Sequence, residues 1–433
     1  MKTKNLLVIL MVCSWILSAC QTAQAPITEI AATAAIAPPA EPPAPTNTPV
    51  PPAATNTPFV PKATFKIAVA VPLTGDEGAV GTDIFHAGEL AAAQLSSPLA
   101  LMGYAVELVS YDDKHDLDTA VTNAKELIKD SDILCGVGHY NSPITIQATE
   151  IYHKAGLAFI SPSSTNADVT NRGYLEVNRV VGRDDAEGAA GAHFAQERGF
   201  KAIYVLYDSS RHGQKNADYF KREAKKLGLN VVGELSTDIP GNFESVIKRI
   251  LDTNTDLVYF AGGSTEQVGN FINEARAANY KGAILGTDYS FNQDILNFAG
   301  PFAIDGGGLF YTTIGASLAS MPNAKQFEQD FLTKFGTEPQ FYTPYAYDAT
   351  GICLKAIENA SKAKGGGIPT RAEVASAIHA LTDYQGIADT YNFTKNGDPT
   401  VSAYQVYQVT TIDPNKWDAN PVVATYKVEP PGK

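Results

Sequence analysis

Residues 65–75 read FKIAVAVPLTG, a run of small and branched apolar residues that ends in a segment containing Pro72 and Gly75. A short apolar run bounded by such residues is typical of a buried strand. Similar runs alternate along the chain with segments of helical period such as 117–129, and this alternation predicts βαβ units with parallel sheets. The predicted strands are residues 65–71, 104–111, 133–137, 157–160, 202–207, 230–235, 257–260 and 283–286.

The strands fall into two groups, one before about residue 181 and one after residue 201, which predicts two α/β lobes with Rossmann-like parallel sheets. Helical stretches at 323–335 and 342–360 follow, and strand-like segments at 391–393 and 403–409 come last. In open parallel sheets, ligands bind outside the carboxyl ends of the strands. Two such sheets that face each other therefore predict a ligand-binding cleft.

The composition indicates a soluble globular protein of more than one domain. The chain has 433 residues, of which 44% are hydrophobic and 18% are charged, and its formal net charge is -13. No run of Lys and Arg interrupts the negative charge, which argues against nucleic acid and anionic membrane surfaces as partners.

The N-terminus has the features of an export signal. Lys2 and Lys4 precede an apolar stretch at 6–17 that is too short to span a bilayer, and Cys20 lies three residues beyond the end of this stretch. The sequence Leu-Ser-Ala-Cys resembles a bacterial lipobox, which implies that residues 1–19 are removed and that Cys20 receives a lipid. An ordinary cleavage site beside an incidental cysteine is the alternative.

Residues 20–63 are predicted to form a tether. The segment 21–61 contains no Lys or Arg and repeats TNTPVP as TNTPFVP. Because proline fixes φ and removes a backbone donor, such a segment favours extended polyproline-like conformations rather than a core. The folded part would then stand clear of the membrane.

Two cysteines remain in the folded part. Cys135 and Cys353 lie far apart in sequence, each inside an apolar segment, and no Cys-x-x-Cys spacing of a metal site is present. We expect two buried free thiols in preference to a disulfide.

Five motifs carry a resemblance to a known family. In chain order they are KIAVAVPLTG at 66–75, YDD at 111–113, GVGH at 136–139, ISPSSTN at 160–166 and AYDA at 346–349. Their order and spacing resemble the branched-chain amino-acid-binding (leucine/isoleucine/valine-binding) family of type I periplasmic binding proteins. The resemblance implies an extracytoplasmic, lipid-anchored, monomeric Venus-flytrap protein with three hinge crossovers that passes a solute to ABC permease subunits.

The resemblance also implies domain boundaries and an absence of catalysis. The first lobe would comprise residues 64–182 and 314–385, the second lobe 183–313 and 386–412, and a C-terminal tail 413–433. Common enzyme motifs such as G-x-S-x-G and H-E-x-x-H are missing, so neither an enzyme nor a cofactor is expected.

Two loops of the first lobe are candidate ligand contacts. Ser142 and the following proline open a helix after a strand, a position where free backbone N–H groups attract a carboxylate. The resemblance implies that Ser142 binds this carboxylate, and that the Thr165 hydroxyl with the backbone of Ser163 and Ser164 holds the carboxylate and amino groups. Helix capping and turn formation alone are the alternative.

Asp288 follows the strand at 283–286 and stands where the family carries an acidic residue that pairs with the ligand ammonium. An Asx turn after a strand would explain the same residue. The acidic loop at 112–118 lacks the glycine and register of a calcium loop, so we interpret it as a helix-capping loop rather than a metal site.

The sequence departs from the family pattern around the ligand side chain. Val80, His212 and Ser264 stand where relatives often have aromatic residues, while Tyr140 and Tyr289 could supply pocket walls. We therefore expect a free amino acid as ligand, branched-chain or apolar types first, and keep an amide, urea-like or other polar solute as an alternative. A sensor for a signalling partner would use the same fold.

Overall fold

The computed structural model describes residues 60–237 and 243–432. The predicted signal peptide, Cys20 and nearly all of the tether lie outside the described residues. The strands are β1 (Ala63–Val71), β2 (Tyr104–Asp112), β3 (Ile133–Gly138), β4 (Ala158–Ser161), β5 (Val177–Arg179), β6 (Ile203–Tyr207), β7 (Val231–Ser236), β8 (Leu257–Ala261), β9 (Ala283–Gly286), β10 (Leu309–Ile314), β11 (Tyr384–Gln385), β12 (Thr390–Tyr391), β13 (Ser402–Gln408) and β14 (Val422–Val428).

The helices alternate with the strands through most of the chain. They are α1 (Gly78–Leu95), α2 (Ser97–Leu101), α3 (Leu117–Leu127), α4 (Ser142–Lys154), α5 (Glu187–Arg198), α6 (Arg211–Lys226), α7 (Glu244–Asp252), α8 (Thr265–Ala277), α9 (Ile295–Ala299), α10 (Ala324–Phe335), α11 (Thr343–Ala363) and α12 (Arg371–His379). In the described part of the chain, no helix combines the length and apolarity needed to cross a bilayer.

The first sheet has the order β2-β1-β3-β4-β5, and all of its strands are parallel. Strand β3 is buried at every residue, as expected for a sheet covered on both faces. Helix α11 buries most of its residues, among them Ile352 and Ile357, in the core beneath this sheet. All the strands predicted for this half of the chain are confirmed to within two residues.

The second sheet has the order β14-β13-β10-β9-β8-β6-β7. Five of its strands are parallel, and β13 and β14 add an antiparallel edge. Residues 413–433, expected as a tail, contribute β14 to this edge. The sequence of β14, VVATYKV, does not predict a buried strand. An edge strand is half solvated and lacks a continuous apolar run.

We call the part built on the first sheet the first half and the part built on the second sheet the second half. The chain passes between these two halves three times: after β5, after β10 and after β12. The segment expected to enter the second lobe at residue 386 still packs on the first half. There Tyr391 is buried in the same core as α11, and its hydroxyl donates to Asp348 at 3.0 Å. The third crossover therefore comes after β12, nearer to residue 392.

The prediction of free thiols is wrong, because Cys135 and Cys353 form a disulfide with a Cα–Cα distance of 5.9 Å. Cys135 lies in β3 and Cys353 in α11, and both belong to one buried core. A separation of 218 residues conceals this contact in the sequence, since only the packing of α11 beneath the first sheet brings the sulfurs together.

Candidate functional site

The candidate site lies where loops from the two sheets meet. Helix α4 and the turn at 163–166 follow β3 and β4, and the N-terminus of α6 and residues 287–290 follow β6 and β9. Arg211 at the start of α6 forms an ion pair with Asp168, just beyond the turn in the first half. The carboxyl ends of the two sheets therefore face one another, as predicted for a cleft.

Ser142 is the first residue of α4, and Asn141 occupies the N-cap position without a side-chain capping bond. The alternative in which Ser142 serves as the helix cap is therefore wrong. Its hydroxyl instead accepts the Asn166 N–H at 3.3 Å, which ties the helix start to the turn after β4. Pro143 follows in the first turn of α4, where its missing N–H costs nothing.

The two serine hydroxyls of the turn at 163–166 are occupied by hydrogen bonds to the loop after β3. The Ser163 hydroxyl donates to the Tyr140 carbonyl at 2.9 Å, and the Ser164 hydroxyl donates to the His139 carbonyl at 3.1 Å. Both serines are buried, whereas Thr165 is partly exposed, and its hydroxyl has no hydrogen bond within 60–237 and 243–432. Among the three hydroxyls of the turn, that of Thr165 remains open to a ligand.

A buried arginine supports this turn from behind. Arg179 at the end of β5 donates to the Ser164 carbonyl at 2.8 Å and pairs with Asp398 at 2.9 Å. Asp398 Oδ2 also forms an ion pair with Arg183 Nη1 at 3.3 Å. Asp398 therefore connects residues of the first and third crossovers. All three side chains are at most 5% exposed, and such paired burial is costly to break. Sequence reasoning missed this network, because nothing in the sequence relates position 398 to 179.

The second half contributes a pair of carboxyl groups. Glu187, the first residue of α5, is fully buried, and its Oε1 accepts the Asp288 N–H at 3.2 Å and the Thr312 hydroxyl at 2.8 Å. Glu187, His212 and Asp288 each offer one ligand atom, and these atoms lie within 4.8 Å of one another. Among the described residues, they are the one group of three or more histidine, cysteine and carboxylate side chains close enough to hold a cation.

The environment of the pair opposes double ionisation. Burial, and then the charge of Asp288, raise the pKa of Glu187 well above its ordinary value of 4.5. Burial also raises the pKa of Asp288, and the nearby His212 opposes that rise. Two adjacent carboxyl groups, of which Glu187 is buried and Asp288 is partly exposed, favour a state in which one is protonated and the other charged. The pair then presents a single negative charge to a ligand.

The predicted His212 contact lies beside this pair. Its Nε2 is 3.3 Å from the Asn216 amide and 3.4 Å from the Thr287 hydroxyl, and its ring packs on Tyr289 at 5.1 Å between centroids. Burial lowers the pKa of His212 and Asp288 opposes that shift. Tyr289 itself is 63% exposed, so the structure places it at the rim rather than inside a pocket.

Aromatic residues of the first half form the opposite wall. Tyr140 contacts Tyr342 edge-to-face at 5.8 Å, and Tyr140 and Val80 pack on the same apolar cluster. Burial, and then the charge of Asp288, raise the pKa of Tyr342 above its ordinary value. Tyr342 was missed as a site residue, because the sequence shows it only as the entry to a helix.

Ser264 has a local role that the sequence left open. It is exposed, and its hydroxyl accepts the Gln267 N–H as the N-cap of α8. The acidic loop likewise caps a helix, since Asp116 accepts the Thr119 N–H at the start of α3.

Residues of three of the recognised motifs, YDD, GVGH and AYDA, have structural roles. His139 is fully buried between Asp113 at 2.6 Å and Tyr152 at 3.1 Å. Asp348 accepts the backbone N–H groups of Ile387 and Ala388, and burial raises its pKa to about 7. These motifs hold the loops of the first half in place and do not enter the cleft.

We expect Glu187→Gln to stabilise the ligand-free chain at neutral pH. The raised pKa of Glu187 means that folding favours the protonated acid. The contribution of this proton to the free energy of unfolding is complete below pH 4.5, where Glu187 is protonated in both the folded and the unfolded chain. It is lost as pH rises through the pKa of Glu187 in the folded chain. Gln copies the protonated acid at every pH. The melting temperature of Glu187→Gln should therefore exceed that of wild type at pH 8, and the difference should shrink toward pH 4.

Exposed Glu266→Gln on α8 serves as the control for this measurement. A difference for Glu187→Gln that is the same at pH 4 and pH 8 would contradict a buried proton on this pair.

Comparisons with known proteins agree with the fold. The family model described as Periplasmic binding protein matches residues 64–415. An amino acid binding protein of Pseudomonas aeruginosa is 29% identical over 344 residues, covering 79% of this chain and 89% of the relative. A leucine-, isoleucine-, valine-, threonine-, and alanine-binding protein of the same organism is 30% identical over 348 residues, covering 80% and 90%.

A solved structure is similar over the same region. The crystal structure of a leucine binding protein from Thermotoga maritima superposes with a TM-score of 0.61 at 25% identity, covering 83% of this chain and 98% of that one.

Proposed function

The chain belongs to the periplasmic binding protein family, and we propose that it is the extracytoplasmic solute-binding component of an ABC importer, which closes a Venus-flytrap fold around a free amino acid. It would bind its ligand without catalysis and deliver it to permease subunits. Branched-chain and other apolar amino acids are the first candidates, because the relatives named above bind amino acids of this kind.

The observation that carries this proposal is the opposite chemistry of the two sides of the cleft. The first half offers the N-terminus of α4, beginning at Ser142, and the Thr165 hydroxyl. These are hydrogen-bond donors suited to a carboxylate. The second half offers the carboxyl pair of Glu187 and Asp288, suited to an ammonium group. A zwitterion placed between them satisfies both sides.

The ligand side chain would then lie against Tyr140, Tyr342 and Val80. These residues provide an apolar and aromatic wall in the first half. In the second half, the polar His212 lies beside the carboxyl pair.

A melting-temperature screen tests the proposal. The mature chain carrying Cys20→Ser would be heated with each standard amino acid and with amides, urea and polyols. A ligand present at 100 times its Kd adds about 2.7 kcal/mol of stability, which is readily seen as a shift. A shift with amino acids alone supports the proposal, and the absence of any amino-acid shift contradicts it.

A neutral amide or urea-like solute is the second candidate, favoured by the polar His212 beside the pair. An uncharged ligand does not need an ionised carboxylate, so its affinity should survive neutralisation of Asp288.

A sensor for a signalling partner is distinguished from an importer by uptake of the ligand in a strain that lacks the protein. Uptake should fall if the protein serves an importer and should be unchanged if it serves a sensor.

We further propose that Cys20 carries the lipid anchor and that residues 20–63 form the tether. The lipobox-like sequence at 17–20 supports this assignment. We expect Cys20→Ser to release a folded, ligand-competent protein from the membrane fraction, because the lipid attachment is separated from the cleft by the tether. Sedimentation after an alkaline wash measures it, and a variant that still sediments with membranes would contradict lipidation.

A further inference from the structure

An ion pair connects the two halves of the cleft at its rim. Arg211 Nη2 lies 2.7 Å from Asp168 Oδ1, and Arg211 Nη1 contacts Asp168 Oδ2, so the guanidinium and the carboxylate meet through two parallel bonds. Arg211 opens α6 in the second half, and Asp168 lies in a short 3-10 helix, Ala167–Val169, in the first half. Paired bonds of this type are the strongest geometry available to an exposed ion pair.

The position of Arg211 is unfavourable for its own helix. The N-terminus of a helix carries a partial positive charge, which disfavours a cation in the first turn. Helix α6 has no acidic residue in its first turn, although Ser210 caps it by accepting the Gly213 N–H at 3.0 Å. Asp208, two residues before the cap, already places a carboxylate at the helix start, where it accepts the Ser210 N–H at 3.1 Å. Asp168 adds a second negative charge from the other half of the molecule when the halves are in contact.

The pair also lies next to groups assigned to the ligand. Arg211 precedes His212, which neighbours the carboxyl pair, and Asp168 comes three residues after Thr165. Contact between Arg211 and Asp168 thus holds the loop with the anion-binding groups against the helix start with the cation-binding groups. Neither residue needs to touch the ligand to affect its release.

Solvent exposure makes the pair weak and reversible. The side chains of Arg211 and Asp168 are 60% and 33% exposed. Exposed pairs contribute little on their own and are screened by salt. Such a contact can bias an equilibrium between open and closed halves without locking it.

We propose that Arg211 and Asp168 are positioning residues that stabilise the closed state and thereby slow release of the bound solute. This role rests on the proposed function, in which the two halves close around an amino acid. Loss of the pair should accelerate dissociation roughly two- to fivefold, which is the upper range for an exposed ion pair. Association should change little.

The test compares Asp168→Asn, Arg211→Gln, the double variant and the exchanged pair Asp168→Arg/Arg211→Asp. The probe is the standard L-amino acid that gives the largest melting shift with the wild-type chain, and stopped-flow fluorescence follows its release. Each single variant should release it faster, the double variant should resemble the singles, and the exchanged pair should recover slow release. Arg211→Lys should release the amino acid at a rate between those of wild type and Arg211→Gln, because an ammonium group cannot form the two parallel bonds of a guanidinium group.

Asp252→Asn is the matched control, since it removes an exposed ion pair with Lys248 on α7 of the same half. Raising NaCl from 20 to 500 mM should speed release from wild type and from this control, but not from Asp168→Asn. Small-angle scattering without ligand should also show Asp168→Asn to be more open than wild type.

Release rates and scattering of Asp168→Asn and Arg211→Gln equal to those of wild type would overturn the positioning role. A wild-type chain that binds no amino acid would overturn the proposed function instead. In that event the scattering comparison still decides the role of the ion pair.

Discussion

Asp288→Asn should weaken binding of the amino acid by at least about 30-fold. If the cleft closes around an ammonium group, the carboxylate of Asp288 is its charge partner in a site from which water is excluded. Removing one member of a buried, hydrogen-bonded charge pair typically costs about 2 to 5 kcal/mol, because the other charge remains buried without a partner. This cost corresponds to roughly 30- to 5,000-fold in Kd.

The neighbouring Glu187 should limit the effect of the single substitution. The charge of Asp288 helps to raise the pKa of Glu187, so its removal lets Glu187 ionise more readily. The double variant Asp288→Asn/Glu187→Gln removes both acids and should approach the 5,000-fold end of the range. A double variant much weaker than the single one would identify the two carboxyl groups as one shared cation site.

Titration calorimetry of the chain with the amino acid from the melting screen measures both effects. Asp294→Asn, at an exposed position just before α9, is the control for removal of one negative charge from the same half. Ser142→Ala should cost less, about 1 to 3 kcal/mol, because backbone donors at the start of α4 remain. An amino-acid affinity unchanged in Asp288→Asn would contradict the assignment of this residue to the ammonium group.

Replacing both Cys135 and Cys353 by Ala should lower the free energy of unfolding by about 5 kcal/mol. Their disulfide closes a loop of 218 residues, and the chain-entropy relation for cross-links assigns about this much to a loop of that length. The two side chains are also fully buried, so the substitution loses packing contacts in the core of the first half.

Denaturant unfolding in the absence of reductant measures the loss, with the Cys20→Ser chain as the common background. In that background, the unfolded mature chain should show no titratable thiol before reduction. A chain that keeps its signal peptide would show only the thiol of that segment. Reductant should bring the wild-type curve most of the way to that of the variant. Two reactive thiols in the unreduced mature chain would contradict the disulfide.

Much of the architecture could be predicted from local sequence alone. Strand candidates such as 133–137 and 283–286 are buried apolar runs, and turn residues mark their ends. Because the carboxyl ends of parallel strands meet at one edge, the order of elements also placed Asp288 and the turn containing Thr165 in the cleft. The candidate site residues that directly follow strands could therefore be proposed from the sequence.

Other features depend on residues far apart in the chain, and only the tertiary structure decided them. Glu187 reads in sequence as an ordinary acid at a helix start, and its burial beside Asp288 follows from the packing of α5 under β9 and β10. The same holds for Cys135 with Cys353 and for Arg211 with Asp168. Periodicity reports which face of an element is buried. It does not report which residue of another element lies against that face, because that contact is set by how the sheets, helices and crossovers pack together.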